Sequence, residues 1–165
     1  MDFQTSVLYL TDLLRRAAEA DGGVTVETFA EIGFTTKPSG VRLTLSTGAT
    51  TYVQFVGTYS TSVAAPEGEP LPPVDVPGLT ATDGRVAVRD VEAWIAAVIT
   101  NGGSRWVGAV AGYSTIPGRS AGTQPYGVRV ALYDGSTVQG LFVHTLRRDE
   151  RPGVERDEFA QLEVI

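Results

Sequence analysis

Residues 38–56 of this 165-residue chain recur, 87 positions later, as residues 125–143, and this internal copy restricts the fold more than any other feature. Pro38, Gly40, Val41, Arg42, Leu45, Gly48, Thr50, Phe55 and Val56 meet the same residue types at Pro125, Gly127, Val128, Arg129, Leu132, Gly135, Thr137, Phe142 and Val143, nine identities in nineteen ungapped positions. Each copy alternates apolar and polar residues around a turn, Ser46-Thr47-Gly48 or Tyr133-Asp134-Gly135. That is the pattern of an antiparallel hairpin. A segment kept twice predicts a structural unit used twice.

Upstream of each hairpin stand a double glycine and an amphipathic helix. Phe3, Val7, Leu10, Leu14 and Ala17 follow a 4-3-4-3 spacing, with Asp2 as the expected cap, Gly22-Gly23 as the stop, and Arg15 and Glu19 one turn apart on the wet face. Val91, Trp94, Ile95, Val98 and Ile99 repeat the design after Asp90, the second expected cap, and end at Gly102-Gly103. Val24 to Phe29 and Trp106 to Ala111 read as the strand between helix and hairpin. The expected fold class is therefore α+β: duplicated helix–strand–hairpin units forming a mainly antiparallel sheet or small barrels, with one helix packed on each half. Residues 1–63 form the first half and 79–165 the second. Between them, 64–78 holds five of the nine prolines (Pro66, Pro70, Pro72, Pro73, Pro77) and reads as an extended crossover, a linker or surface strap.

The second half, from Gly127-Val128-Arg129-Val130-Ala131-Leu132 through Tyr133-Asp134-Gly135 to Val138-Gln139-Gly140-Leu141-Phe142, with Phe159 to Ile165 as a terminal strand, resembles the opening of Sm-like and related SH3-like small barrels. The resemblance covers residues 127–165 and implies a second strand sharply bent at Gly140. The first copy has Val53 at the equivalent position. Beyond Phe142 the Sm pattern has Asp and Asn in its loop, where this chain runs Val143-His144-Thr145-Leu146-Arg147-Arg148, so the resemblance bears on architecture and carries no RNA binding.

The residue inventory excludes much chemistry. There is no cysteine, so disulfides, thiolate metal sites and cysteine nucleophiles are impossible; His144 is the single histidine. It reads as a surface or half-buried strand residue. A net charge of −6 spread along the chain suits neither a nucleic-acid backbone nor a mimic of one. The start lacks a basic signal-peptide region, and the apolar run Ala93 to Ile99 is far shorter than the ~20 residues a bilayer needs. Gly112 to Ser120 falls short of a phosphate loop, with five residues between its glycines, Arg119 in place of lysine and no helix pattern after it. Asp149 and Glu150 are sequence neighbours and would point to opposite faces of a strand. No catalytic residue, cofactor site or metal site is assigned.

What remains points to contact rather than chemistry. Tyr113 to Gln124 reads as a mobile or partner-contacting loop, and Arg147 to Glu158, mixing both charge signs around Pro152-Gly153, as a solvated hairpin loop or docking surface. Tyr113, Ile116, Arg119, Arg147, Arg148 and Arg151 are the expected partner-binding residues. Trp94 and Trp106 are expected in the core. Lys37 is the one lysine, whereas sheets commonly guard open edges with lysines, so the edges should be closed, covered or shared. The function expected is that of a non-enzymatic structural or protein-interaction protein, self-associating or binding a protein partner in an oligomer or larger assembly. Twelve arginines to one lysine suggest a GC-rich genome, such as that of an actinobacterium or its phages, and hence a virion or tail-assembly component, cytoplasmic or incorporated in the particle. The alternatives are a small-molecule or peptide-binding module with a cleft between the halves and, third, an enzyme using His144 or loop carboxylates.

Overall fold

The computed structural model describes residues 1–61, 66–120, 122, 124–152 and 162–165. Helix α1 (Phe3–Asp21) starts where Asp2 accepts a bond from the Thr5 amide (2.9 Å) and ends where Gly22, at φ 73°, donates to Ala18. Its buried seam is Ser6, Leu10, Thr11, Leu13, Leu14 and Ala18, with Phe3, Val7 and Ala17 only partly buried. The buried side is thus wider than the expected stripe and rolled slightly from it, taking in Thr11 and, beside the end of the second helix, Leu13. Arg15 pairs not with Glu19 but with Glu31 beyond the first strand, and the pair one turn apart on the helix is Arg16–Asp12 (2.8 Å).

Helix α2 (Val88–Thr100) begins two residues before the expected cap. Ala87 occupies the cap position without a side-chain bond, and Asp90 lies in the first turn, where its charge suits the helix dipole. The entry is held by the chain's end: Val86 and Ile165 exchange backbone bonds, and Val88 N donates to Glu163 O (2.8 Å). Of the expected terminal strand, residues 159–161 lie outside the described residues, and Val164 forms a bridge with Ala87 rather than joining the sheet.

The strands are β1 (Val24–Thr28), β2 (Gly40–Leu45), β3 (Thr50–Thr58), β4 (Val107–Gly112), β5 (Gly127–Leu132) and β6 (Thr137–Leu146). They form one antiparallel sheet, curled as a half-barrel, in the order β1-β2-β3-β6-β5-β4. The two hairpins are built alike residue for residue. Gly40 lies opposite Gln54 and Gly127 opposite Leu141; Val41 opposite Val53 and Val128 opposite Gly140. Both turn glycines are left-handed, Gly48 at φ 87° and Gly135 at φ 86°. The halves meet at β3–β6, where Val53 pairs with Phe142, Gln54 with Leu141 and Phe55 with Gly140. An offset of 87 exchanges the first and third of these pairs and maps the middle one onto itself, so a pseudo-two-fold axis passes through Gln54 and Leu141.

Gly140 has a packing role here, since a side chain would bring a Cβ within 3.0 Å of Val53 Cγ1. Strand β6 continues through it, and the register shift against β3 falls later, at Val143. Both helices cover one face of the sheet, and a single core joins the halves through Leu14, Trp94, Ile95, Val41, Leu43, Val53 and Phe142. Trp106, expected in the core, is 37 % exposed just ahead of β4, with its ring edge-on to Tyr9.

The β1 edge is covered by means other than lysine. Along β1, Arg15 Nε donates to Val26 O (3.4 Å), and Glu31 accepts bonds from Thr28 N (2.7 Å) and Thr28 Oγ1 (3.0 Å). Beside β4 runs the proline-rich strap. Gly68 N donates to Arg105 O and Tyr133 Oη to Glu69 O, while Asn101, the chain's one asparagine, exchanges two 2.7 Å bonds with the Val74 backbone. Prolines cannot complete a ladder, so side chains do the fastening.

The Thr28 amide, the Thr28 hydroxyl and then Arg15 hold the Glu31 carboxyl below its ordinary range. A depressed folded pKa stabilises the fold above the unfolded value of about 4.3, and that contribution is lost as pH falls through the folded value. The melting temperature of Glu31→Gln should therefore lie below wild type at neutral pH and converge on it in acid. Parallel curves across that range would show that Glu31 does not contribute through its charge.

Candidate functional site

The β4–β5 loop is tied down by the residues expected to contact a partner. Tyr113 is buried against Gly127, its hydroxyl donates to Gln139 Oε1, and burial pushes the phenol upward. The Arg119 guanidinium lies 3.9 Å over the Tyr113 ring and donates to Gln124 O (2.9 Å). Tyr113 thus ties the loop to β5 and β6 and Arg119 braces the loop itself, while Ile116 is half-buried. Arg147, Arg148 and Arg151 form a separate group beyond the end of β6. Arg147 is half-buried, Arg148 lies over Gly48 of the first hairpin, and Arg151 is exposed. The remaining charged run, 153–158, lies outside the described residues.

His144 is buried rather than at the surface. It faces Tyr52 across the β3–β6 pair, and its ring meets Tyr52 and Phe34 edge-on at centroid distances of 5.5 and 6.0 Å. Phe29 and Phe34 come from the β1–β2 segment, which folds over the sheet face opposite the helices. That aromatic enclosure joins elements distant in sequence, so strand spacing alone could not show it. Among the described residues no group of three or more His, Asp or Glu side chains is placed to hold a metal ion, and no helix is long and apolar enough to cross a membrane.

The most organised polar site is one that sequence reasoning missed. Glu92, on the core face of α2, is fully buried. Its Oε1 accepts bonds from Ser114 N (3.1 Å) and Ser114 Oγ (2.5 Å), and its Oε2 from Gly127 N (3.0 Å). Gly112 makes the room, since a Cβ there would lie 2.4 Å from Oε1. The available signal was an acid set within the apolar run Val91-Glu92-Ala93-Trp94-Ile95. A buried carboxyl must find donors, and here the start of the β4–β5 loop and the first amide of β5 supply them.

The corresponding place in the first half is an open pocket of about 490 Å³ between α1 and the β1–β2 segment, lined by Val7, Leu8, Thr11, Phe29, Ala30 and Gly40 among others. Two smaller pockets of about 360 Å³ lie near the α1–α2 contact, one lined by Leu13, Arg16, Val76 and Val98, the other by Tyr9, Glu67 and Trp106.

The sheet face turned away from the helices carries Arg42, Gln54, Val56, Arg129, Gln139 and Leu141, all at least partly exposed and alternating with the buried Val41, Val53, Phe55, Val128, Val138 and Phe142. No family model, curated protein or solved structure matches this chain.

Proposed function

We propose that the protein is a non-enzymatic structural or interaction protein that works by associating with further copies of itself in an oligomer or larger assembly, and that its two halves descend from one duplicated unit. The observation that carries this reading is the open sheet face. Beside the aromatic cluster that the β1–β2 segment covers, it spans the pseudo-two-fold axis at Gln54 and Leu141 and offers Val56 and long polar side chains of low charge density. Arg42 on this face is already paired with Glu27, and a facing copy would supply the acceptor for Arg129. Side chains along the β1 edge and the proline-rich strap beside β4 direct association to faces and loops rather than to strand addition. Enclosure of His144 and use of Glu92 as a structural acceptor support a role without turnover. A phage virion or tail assembly is the setting that the arginine-rich composition suggests.

Sedimentation equilibrium tests the reading. Oligomers are expected, and Val56→Arg, on the open face, should shift them toward monomer at unchanged melting temperature. A chain that stays monomeric at the highest attainable concentration overturns self-association. The second reading, a small-molecule or peptide-binding module, is favoured by the pocket beneath α1 and by those at the α1–α2 contact.

A further inference from the structure

The pocket beneath α1 is the first-half counterpart of the Glu92 site. Strand register makes Thr28 the counterpart of Gly112, since they face Val41 and Val128, which correspond at an offset of 87. Phe29 and Ala30 then stand for Tyr113 and Ser114, and Gly40 for Gly127. Phe29 packs on Gly40 as Tyr113 packs on Gly127. On the helices, burial at 10, 11, 13, 14 and 18 matches burial at 91, 92, 94, 95 and 99, so Thr11 takes the place of Glu92.

The two amides that receive Glu92 in the second half therefore have counterparts at Ala30 and Gly40, both lining the pocket, with no acceptor that reaches them from Thr11. In this half the strands stay paired one residue further, Phe29 N donating to Gly40 O (3.0 Å), and the Phe29 carbonyl accepts from Phe34 N (2.9 Å). Thr28 carries a side chain where Gly112 leaves room for Glu92. Around these amides the walls are apolar, from Val7, Leu8, Phe29 and Pro38. At the rim Arg15 is paired with Glu31 and Asp12 with Arg16, so the surrounding charges are balanced.

We propose that this pocket binds a monocarboxylate carried on a short apolar chain. Its carboxylate takes the amides of Ala30 and Gly40, as Glu92 takes those of Ser114 and Gly127, and its chain lies against Leu8, Phe29 and Pro38. Bonds from backbone amides favour a carboxylate over a neutral group because charge-assisted bonds are the stronger ones.

The test is an amide-resolved NMR titration of the full chain with hexanoate, hexanamide and acetate. Saturable shifts at Ala30 and Gly40 are expected with hexanoate, with binding about tenfold weaker for hexanamide, and weaker for acetate, which lacks the chain. Thr11→Glu should abolish hexanoate binding by supplying the carboxyl internally. Should Thr28 crowd that side chain and unfold the variant, Thr11→Glu with Thr28→Gly recreates the Glu92–Gly112 pair and is expected to fold without binding. An acetylated dipeptide with a free C-terminus distinguishes the carboxylate's source: tighter binding than hexanoate assigns a chain end, weaker binding a free acid. No saturable shift at Ala30 and Gly40, equal binding of acid and amide, or full binding by a folded Thr11→Glu variant overturns the proposal.

Discussion

Replacing Gly40 with alanine is expected to be among the most damaging single substitutions in the protein. The added Cβ would lie 2.2 Å from Val53 O on the neighbouring strand and 2.4 Å from the Phe29 ring. The ring could move, but the carbonyl belongs to the backbone of β3, one of the two central strands. Overpacking against backbone at the heart of a sheet costs about 3 kcal/mol or more, which for a domain of this size lowers the melting temperature by roughly 6–12 °C. Gly127→Ala meets Gly140 O at 2.7 Å and the Tyr113 ring at 2.9 Å and should be smaller in the same direction. Gly78→Ala, whose nearest neighbour atom is 3.6 Å away, serves as the control and should stay within about 0.5 kcal/mol. Thermal or urea unfolding orders the three. Gly40→Ala melting with the control would mean that β2 does not pack as described.

Truncating Glu92 to alanine should have a comparable effect for a different reason. It removes the acceptor of the buried Gly127 amide and of the part-buried Ser114 amide and hydroxyl, and empties the space of a fully buried side chain. Stranding buried donors costs about 1–3 kcal/mol each, so with partial rehydration a loss of about 3–4 kcal/mol is expected, or roughly 7–14 °C in melting temperature. Glu92→Gln keeps one acceptor but turns an amino group toward a donor, and should lose about half as much. Glu92→Thr combined with Gly112→Thr copies Thr11 and Thr28 of the first half and should recover part of the loss by refilling the space. Hydrogen exchange supplies the decisive readout: Gly127 N should lose protection selectively in Glu92→Ala. Unchanged protection would mean that the carboxyl does not hold β5 against α2.

Local patterns made both helices and the hairpins legible. The period of α1 and α2, the alternation around Gly48 and Gly135, and proline crowding in the crossover each depend on residues a few positions apart, and each has its counterpart in the structure. Errors arose where a distant partner decided the outcome. Asp90 was the obvious cap, yet the C-terminal residues 163 and 165 secure the entry to α2 two residues earlier. Arg15 had Glu19 one turn away, but Glu31 lies closer to the edge it must cover. Trp106 reads as core by residue type and remains partly exposed beside Tyr9.

The same division applies to the candidate sites. A bare alternation of apolar and polar residues determined which strand positions face inward, and the matching segments determined that two hairpins share one register, because side-chain direction in a strand is set by its period of two. The joining of the halves through β3 and β6, the aromatic enclosure of His144 and the seating of Glu92 on Ser114 and Gly127 were decided only by the tertiary structure. Long-range strand pairing and the solvation of a buried polar group depend on which surfaces meet after the chain has closed on itself, and no local spacing encodes that meeting.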